Sequence, residues 1–394
     1  MESAIRKDAQ KLPPEEAMAQ VPFEKIRHWM FEEALPFWAE AGVDRAGGGF
    51  VEQLDFDGRD IGVAFKRTRV AARQIYVYSH AALLGWEGGL DIARHGYAFL
   101  KDKARTPDGG WARTLTRDGQ VLDATPDLYD FAFAMFALGW YGRASGDQEP
   151  KALILQTLDY LDAHMRPAGG EGFLHEKPAK GSRLQNPHMH LLEAALVCLE
   201  TYPDARFEAL ARELVALFST QLFNPETGTL SEYFTDDWSR EPGERGRITE
   251  PGHQFEWAWI LANADRLLGT DTQPIISALV GSGEAHGVDP VSHATYNEVR
   301  DDGAPINRGS RSWPNTERLK AHVALFETHG IDPTVALADS ATLLLDRYLS
   351  TKVRGLWIDQ FDGDGQPTST TVPASTLYHV FLAFAEVLRI QPKF

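Results

Sequence analysis

Apolar residues along the chain fall into two kinds of helical run. In the first kind they recur at helical spacing with polar residues between, as in KALILQTLDYLDAHM and ARFEALARELVALFSTQLF, the pattern of a helix with one buried stripe. In the second, apolar and aromatic residues occupy several faces, as in DFAFAMFALGWY and FEWAWILANA, which suits a helix buried on both sides. Runs of the second kind start beside a proline: Pro126 in TPDLYDFAFAMFAL, Pro187 in NPHMHLLEAALVCL, Pro251 in EPGHQFEWAWILANA, Pro314 in WPNTERLKAHVALF and Pro373 in VPASTLYHVFLAFAEVL. Proline is favoured at the first helical position, where its missing N–H would have no partner anyway. These prolines follow one another at intervals of 59 to 64 residues.

Between the runs lie glycine-containing extended pieces: GGGFVEQLDFDGRD, DGGWARTLTRDGQV, GGEGFLHEKP, TGTLSEYFTDDW and RGLWIDQFDGDGQP. The repeating unit is helix, hairpin-like loop, helix. RTRVAARQIYVYSHAALL fits a sixth copy one period earlier, without the proline. Units that cannot bury an apolar face alone must stack on neighbours, in an open solenoid or a closed ring. Helices apolar on several faces favour the ring. The expected fold is all-α, an (α/α)6 barrel of six helix pairs with short hairpin-like loops, residues 1–394 forming a single domain, with the polar stretch DDWSREPGERGRITEPG as a long loop inside it.

Charge narrows the function classes. A formal net charge of −17 argues against nucleic acid, whose affinity rests on Lys/Arg contacts to phosphates, and disfavours anionic membrane surfaces. No apolar run reaches the about 18 residues of a membrane helix, and the N-terminal MESAIRKDAQKLPPEE is polar, unlike a signal peptide. The expected location is the cytoplasm, as a monomer or homodimer. The one cysteine, Cys198, excludes an internal disulfide and reads as a small core residue.

If the inner helices run parallel, their starts share one mouth. Just past each proline stand Asp127, Tyr129 and Asp130; His188, His190 and Glu193; His253 and Glu256; Trp313 and Glu317; Tyr378 and His379, while the first copy adds Arg67, Arg69 and Arg73. Taken singly these read as caps, dipole-compensating acids or packing residues, and so do His80, His95, His164, His175, His286, His293, His322 and His329. Convergence of six segments on one mouth exceeds what core packing needs. His190/Glu193 and His253/Glu256 share an i, i+3 spacing, which lets each Glu lie beside its His. Di-iron bundles use Glu and His at that spacing, but with Glu first and bridging carboxylates besides, so no metal is expected. The H-x-H of QNPHMHLLEAAL is no metal pair either: with Asn186 as N-cap and Pro187 opening the helix, residues two apart do not share a face. Only His190 then enters the mouth, leaving His188 as a rim or packing residue.

The motifs RVAARQIYVYS, DLYDFAFAMFAL, NPHMHLLEAAL, EPGHQFEWAWIL, SRSWPNTERLKA and STLYHVFLAF, in this order across nearly the whole chain, resemble the N-acylglucosamine 2-epimerase superfamily, most closely its aldose–ketose isomerase branch of mannose and sulfoquinovose isomerases. The resemblance implies an (α/α)6 barrel, no metal or cofactor, and catalysis by histidines. It further implies that His379 and His253 form the principal acid/base pair, with His190 and Arg73 as further active-site residues and Tyr129, Asn186, Glu256 and Trp313 lining the sugar site. From the helix-start ring, Glu193, Glu317 and Tyr378 join the substrate-binding set. The histidine of the M-H pair points toward isomerases or the cellobiose 2-epimerase branch.

Such a site suits interconversion of an aldose and its 2-ketose through a cis-enediol, D-mannose to D-fructose first. A neutral imidazole at a helix start is a fitting base. In this reading His379 shuttles the proton between C2 and C1, His253 opens the ring and moves hydroxyl protons, Glu256 orients His253 or holds a sugar hydroxyl, His190 binds the O1/O2 region, Arg73 stabilises the oxyanion and Trp313 is an apolar platform. A 2-epimerase would use nearly the same residues. A sulfoquinovose isomerase would need a cation for its C6 substituent, from Arg67 or Arg69. A glycoside hydrolase would need two opposed carboxylates among Asp127, Asp130, Glu256 and Glu317, and a non-catalytic scaffold would be an open solenoid.

Overall fold

The computed structural model describes residues 20–393; the polar N-terminal stretch lies outside them. Among the described residues twelve helices make the body. We label as outer helices α1 (23–41, with a π turn over Trp29–Ala34), α3 (Gly89–Lys103), α5 (Glu149–His164), α7 (Ala205–Leu217), α9 (Gln273–His286) and α11 (Thr334–Leu343). The inner ones are α2 (Thr68–Leu83), α4 (Leu128–Ser145), α6 (Asn186–Thr201), α8 (Pro251–Leu268), α10 (Ser312–His329) and α12 (Leu377–Ile390). Burial follows the two kinds of run. On α5 the buried Ile154, Thr157, Leu158 and Leu161 form one stripe, whereas on α4 Asp130 to Gly139 are buried without a break. Each inner helix packs on the next, from α2 through α12, and α12 packs back on α2; each outer helix from α3 on packs on the inner helix that precedes it, and α1 packs on α12.

The loops close the same cycle. Fourteen strands of two or three residues occur among the described residues, so the chain is not purely helical. The expected hairpins form inside three loops, such as Thr114–Thr116 with Val121–Asp123. More often the strand just before an inner helix pairs with the loop of the next repeat. Phe65–Arg67 pairs with Thr114–Thr116, Arg183–Leu184 with Tyr233–Phe234, Ile248–Thr249 with Glu298–Arg300, and Ser310–Arg311 with Gln360–Phe361, all antiparallel. Gln53–Leu54 with Val372–Pro373 joins the last loop to the first. GGEGFLHEKP forms no strand, only the bridge between Glu176 and Asp127. The long polar loop holds a 3-10 turn, Gly243–Arg247, and the strand Ile248–Thr249.

The proline register is looser than its period suggests. Pro251 opens α8, but Pro187 is the second residue of α6 and Pro314 the third of α10. Pro126 and Pro373 precede their helices, the latter through a 3-10 turn, Ala374–Thr376. Asp127 is the N-cap of α4, accepting from the Tyr129 N–H at 2.9 Å. Gly146, Gly269 and Gly330 adopt left-handed conformations at the ends of α4, α8 and α10, letting the chain turn at once into the outer helix. Cys198 is buried, as its apolar run predicts.

Candidate active site

A cavity of about 400 Å³ opens at the starts of the inner helices, lined by Gln53, Arg67, Arg73, Tyr129, Asn186, His190, Glu250, His253, Glu256, Arg311, Trp313, Asp359, Pro373, Ser375, Thr376 and His379. Its size falls in the small-molecule range. Every inner helix or the turn before it contributes. Glu193, Glu317 and Tyr378 lie behind this lining, tied to the histidines. A larger cavity, about 780 Å³, occupies the other end, between the last turns of the inner helices. It holds one histidine, His80, and most of its acids and bases are paired with one another, as in Arg143–Glu200 and Arg389–Glu327. The chemistry is concentrated in the smaller cavity.

Three histidines there sit in different electrostatic surroundings. His379 is 7% exposed, and its Nδ1 lies 2.8 Å from Glu317 Oε1. Burial, then the charges of Arg73 and Lys320, hold its pKa well below the ordinary value, so the ring is neutral. With Glu317 ionised, Nδ1 carries the proton and Nε2 has a free lone pair. His190 places Nδ1 3.2 Å from Glu193 Oε2, and the same carboxylate accepts from Tyr378 Oη at 2.8 and 2.7 Å. Burial lowers His190 to about 4. His253 is the opposite case. Burial pulls it down, but Glu232, with Oε2 at 2.9 Å from Nδ1, and Glu250 outweigh burial and raise it to about 9. It is an imidazolium at neutral pH, not the neutral ring that a helix-start dipole alone would favour.

Glu256 does not orient His253, contrary to the i, i+3 expectation. Glu232, from the loop before α8, takes that place, and Gln185 Nε2 braces Glu232 Oε2 at 2.8 Å. Nothing in the spacing of the helix starts marks Glu232; the only signal is an acid inside TGTLSEYF. Glu256 Oε1 is buried without a partner, and burial followed by the nearby Glu317 pushes its pKa well above the ordinary value, which favours its protonated form. Asn186 is likewise not the cap of α6; it is the first helical residue, and its Nδ2 lies 3.2 Å from His253 Nε2.

Trp313 lies between the two outer histidines of the cavity, ring centroids 5.0 Å from His253 and 5.6 Å from His379. Gly252 makes room for it: a Cβ there would stand 2.6 Å from the Trp313 ring. Arg73 donates to Tyr129 Oη at 2.5 Å and reaches the Ser375 carbonyl at 3.4 Å, while its Nε is buried without a partner. His188 stays out of the cavity, its Nε2 accepting from the Phe173 N–H at 3.0 Å. Among the remaining histidines, His164 and His286 are exposed, not core residues.

The other assigned arginines and acids are committed elsewhere. Arg69 pairs with Asp127 at 2.9 Å and Asp130 at 2.7 Å, so it is no substrate cation. Arg67 does line the cavity, with Nε on Glu52 at 2.7 Å. Of Asp127, Asp130, Glu256 and Glu317, only Glu256 reaches the lining, so they do not form the opposed carboxylate pair of a hydrolase. Among the described residues three groups are compact enough to hold a cation: His190 with Glu193 and Glu256, Glu232 with Glu250 and His253, and Glu256 with Glu317 and His379. In the last, the Lys320 ammonium already stands 2.6 Å from Glu317, and in the second His253 itself is the cation.

Residues 48–383 match the family model of N-acylglucosamine 2-epimerase (GlcNAc 2-epimerase). The chain belongs to the N-acylglucosamine 2-epimerase family. Within it, the chain is 35% identical to a mannose-6-phosphate isomerase of Rhizobium meliloti, over 92% of this chain and 96% of that one. It shares the fold of the cellobiose 2-epimerase of Bacillus thermoamylovorans, with a TM-score of 0.84 at 21% identity over 93% and 98% of the two chains. A D-mannose isomerase structure is similar to the same degree, with a TM-score of 0.82 at 21% identity over 97% and 99%. Among the described residues no helix is long and apolar enough to cross a membrane.

Proposed function

We propose that the protein is a metal-independent aldose–ketose isomerase, a single (α/α)6-barrel catalytic domain that interconverts D-mannose and D-fructose. The observation that carries this reading is the pairing of a neutral histidine, His379, with a charged one, His253, on either side of Trp313. One is a base and the other an acid at the same pH, which is what opening a pyranose and then moving its C2 proton requires. His253 gives its proton to the ring oxygen while a base takes that of the anomeric hydroxyl. The Nε2 of His379 then removes the proton from C2 and returns it to C1, while His253, neutral after ring opening, passes the O2 hydroxyl proton to O1, so that C2 becomes the carbonyl. Arg73 and His190 hold the O1/O2 region as charge develops there, and burial makes each contact stronger than it would be in water. Trp313 carries the apolar face of the sugar, and the neutral Glu256 donates to a hydroxyl.

For the C6 end, the cavity supports a neutral substituent. Its two remaining arginines each already face a carboxylate, Arg67 on Glu52 and Arg311 on Glu250 at 2.7 Å, and Asp359 adds negative charge to the lining. This argues against a phosphate or sulfonate at C6, although one relative bears the name mannose-6-phosphate isomerase. The test is incubation with mannose, mannose 6-phosphate, glucose, lyxose, cellobiose, N-acetylmannosamine and sulfoquinovose, each with chelator. Fructose from mannose, with mannose turned over at least about tenfold faster than its 6-phosphate, is the expected result. Glucose as the first product would make the enzyme a 2-epimerase, and loss of turnover with chelator would end the metal-free reading.

A further inference from the structure

We infer that Lys320 is a positioning residue for His379, acting through Glu317, an inference that rests on the reading of His379 as the base. Lys320 is fully buried, with its Nζ 2.6 Å from Glu317 Oε2 in a contact without hydrogen-bond angles and 4.3 Å above the Trp259 ring. The other oxygen of Glu317 meets His379 Nδ1. Lysine, glutamate and histidine therefore stand in a row, the first two one helical turn apart on α10, and only the histidine reaches the cavity.

A buried lysine is costly unless something depends on its charge. Three acids face it: Glu317 of its own helix, Glu256 of α8 and Glu193 of α6. His379 is faced by Glu317 and Lys320 of α10, Glu256 of α8, Arg73 of α2, and His190 and Glu193 of α6. Burial pushes Glu317 toward its protonated form, and Lys320 is the strongest influence against it. The direction of the Glu317–His379 bond hangs on that balance. An ionised Glu317 accepts from Nδ1–H and leaves Nε2 free to take the C2 proton. A protonated Glu317 would donate to Nδ1 instead, and the ring proton would sit on Nε2, where it blocks the base. Lys320 thus fixes the tautomer of a histidine it does not touch.

The experiment compares Lys320→Met and Lys320→Gln, both neutral, with Lys320→Arg. One readout is the pH dependence of kcat/KM on whichever sugar the wild type converts. The other is the ¹⁵N resonance pattern of the His379 ring in the ligand-free enzyme, which reports the tautomer without any turnover. In the neutral variants the acid limb of kcat/KM should move up by about one pH unit or more, with at least about tenfold loss at pH 6, and His379 should carry its proton on Nε2. Lys320→Arg should keep the wild-type limb and the Nδ1–H form. A folded neutral variant with the wild-type tautomer and limb overturns the inference, as does an equal loss at every pH in all three variants, which would mean packing alone. A wild type that converts no sugar defeats the functional reading instead, while the resonance pattern still decides the role of Lys320.

Discussion

At the scale of single residues, the protonation of two histidines is decided by what lies behind them. Lys320 and Arg73 keep positive charge near His379, whereas Glu232 and Glu250 surround His253 with negative charge. Replacing Glu232 by Gln removes the largest influence that holds His253 at about 9. If His253 must be protonated to open the ring, activity falls as pH rises through that value, so in Glu232→Gln the alkaline limb of kcat/KM should move to lower pH by about one unit or more. The stability consequence has the same sign. Folding raises this pKa, so the stabilisation is fully present below about pH 6.5 and is lost as pH rises through about 9; the variant should lose that slope in its melting temperature. Most site residues were legible because they sit one turn past a recurring helix start. Glu232 was not, because loop acids stand at no fixed offset, and of the two roles open to Glu256 the contact with His253 does not form, because i, i+3 spacing permits a contact without requiring it.

At the scale of elements, helix starts are joined by ion pairs that the cavity does not use. Arg69 on α2 reaches the first turn of α4, where Asp130 has no exposure and Arg69 keeps 23% of its side chain in solvent. Arg69→Met would leave the Asp130 carboxyl buried without its cation. The expected cost is roughly 3 kcal/mol, at the low end for a broken buried pair because Arg69 is partly solvated, and Arg69→Met/Asp130→Asn should regain part of it. Urea denaturation of the two variants measures both numbers. The two classes of helix were readable from burial periodicity, since a helix packed on two sides must be apolar on more than one. Strand pairing was not, because two-residue strands that bond to the next loop leave no alternating pattern, and loops that look like self-contained hairpins use their edges to reach a neighbour.

For the whole molecule, the near-sixty-residue period already implied stacked helix pairs, and the return of α12 and Val372–Pro373 to the first repeat is what an open solenoid could not supply. Closure brings six helix starts to one cavity, so residues from Arg73 to His379 can act on one small substrate. Although the chain carries a net charge of −17, the cavity holds a near balance of arginines and acids, suited to an uncharged sugar. The central claim is that His379 moves the C2 proton of mannose. Its most direct test is D-mannose turnover, with chelator, by wild type and by His379→Ala, followed by product analysis and by solvent deuterium uptake. Fructose from the wild type and no more than a few percent of that turnover from the variant are expected; glucose as first product, or a variant that still exchanges the C2 proton, would show that His379 does not have this role.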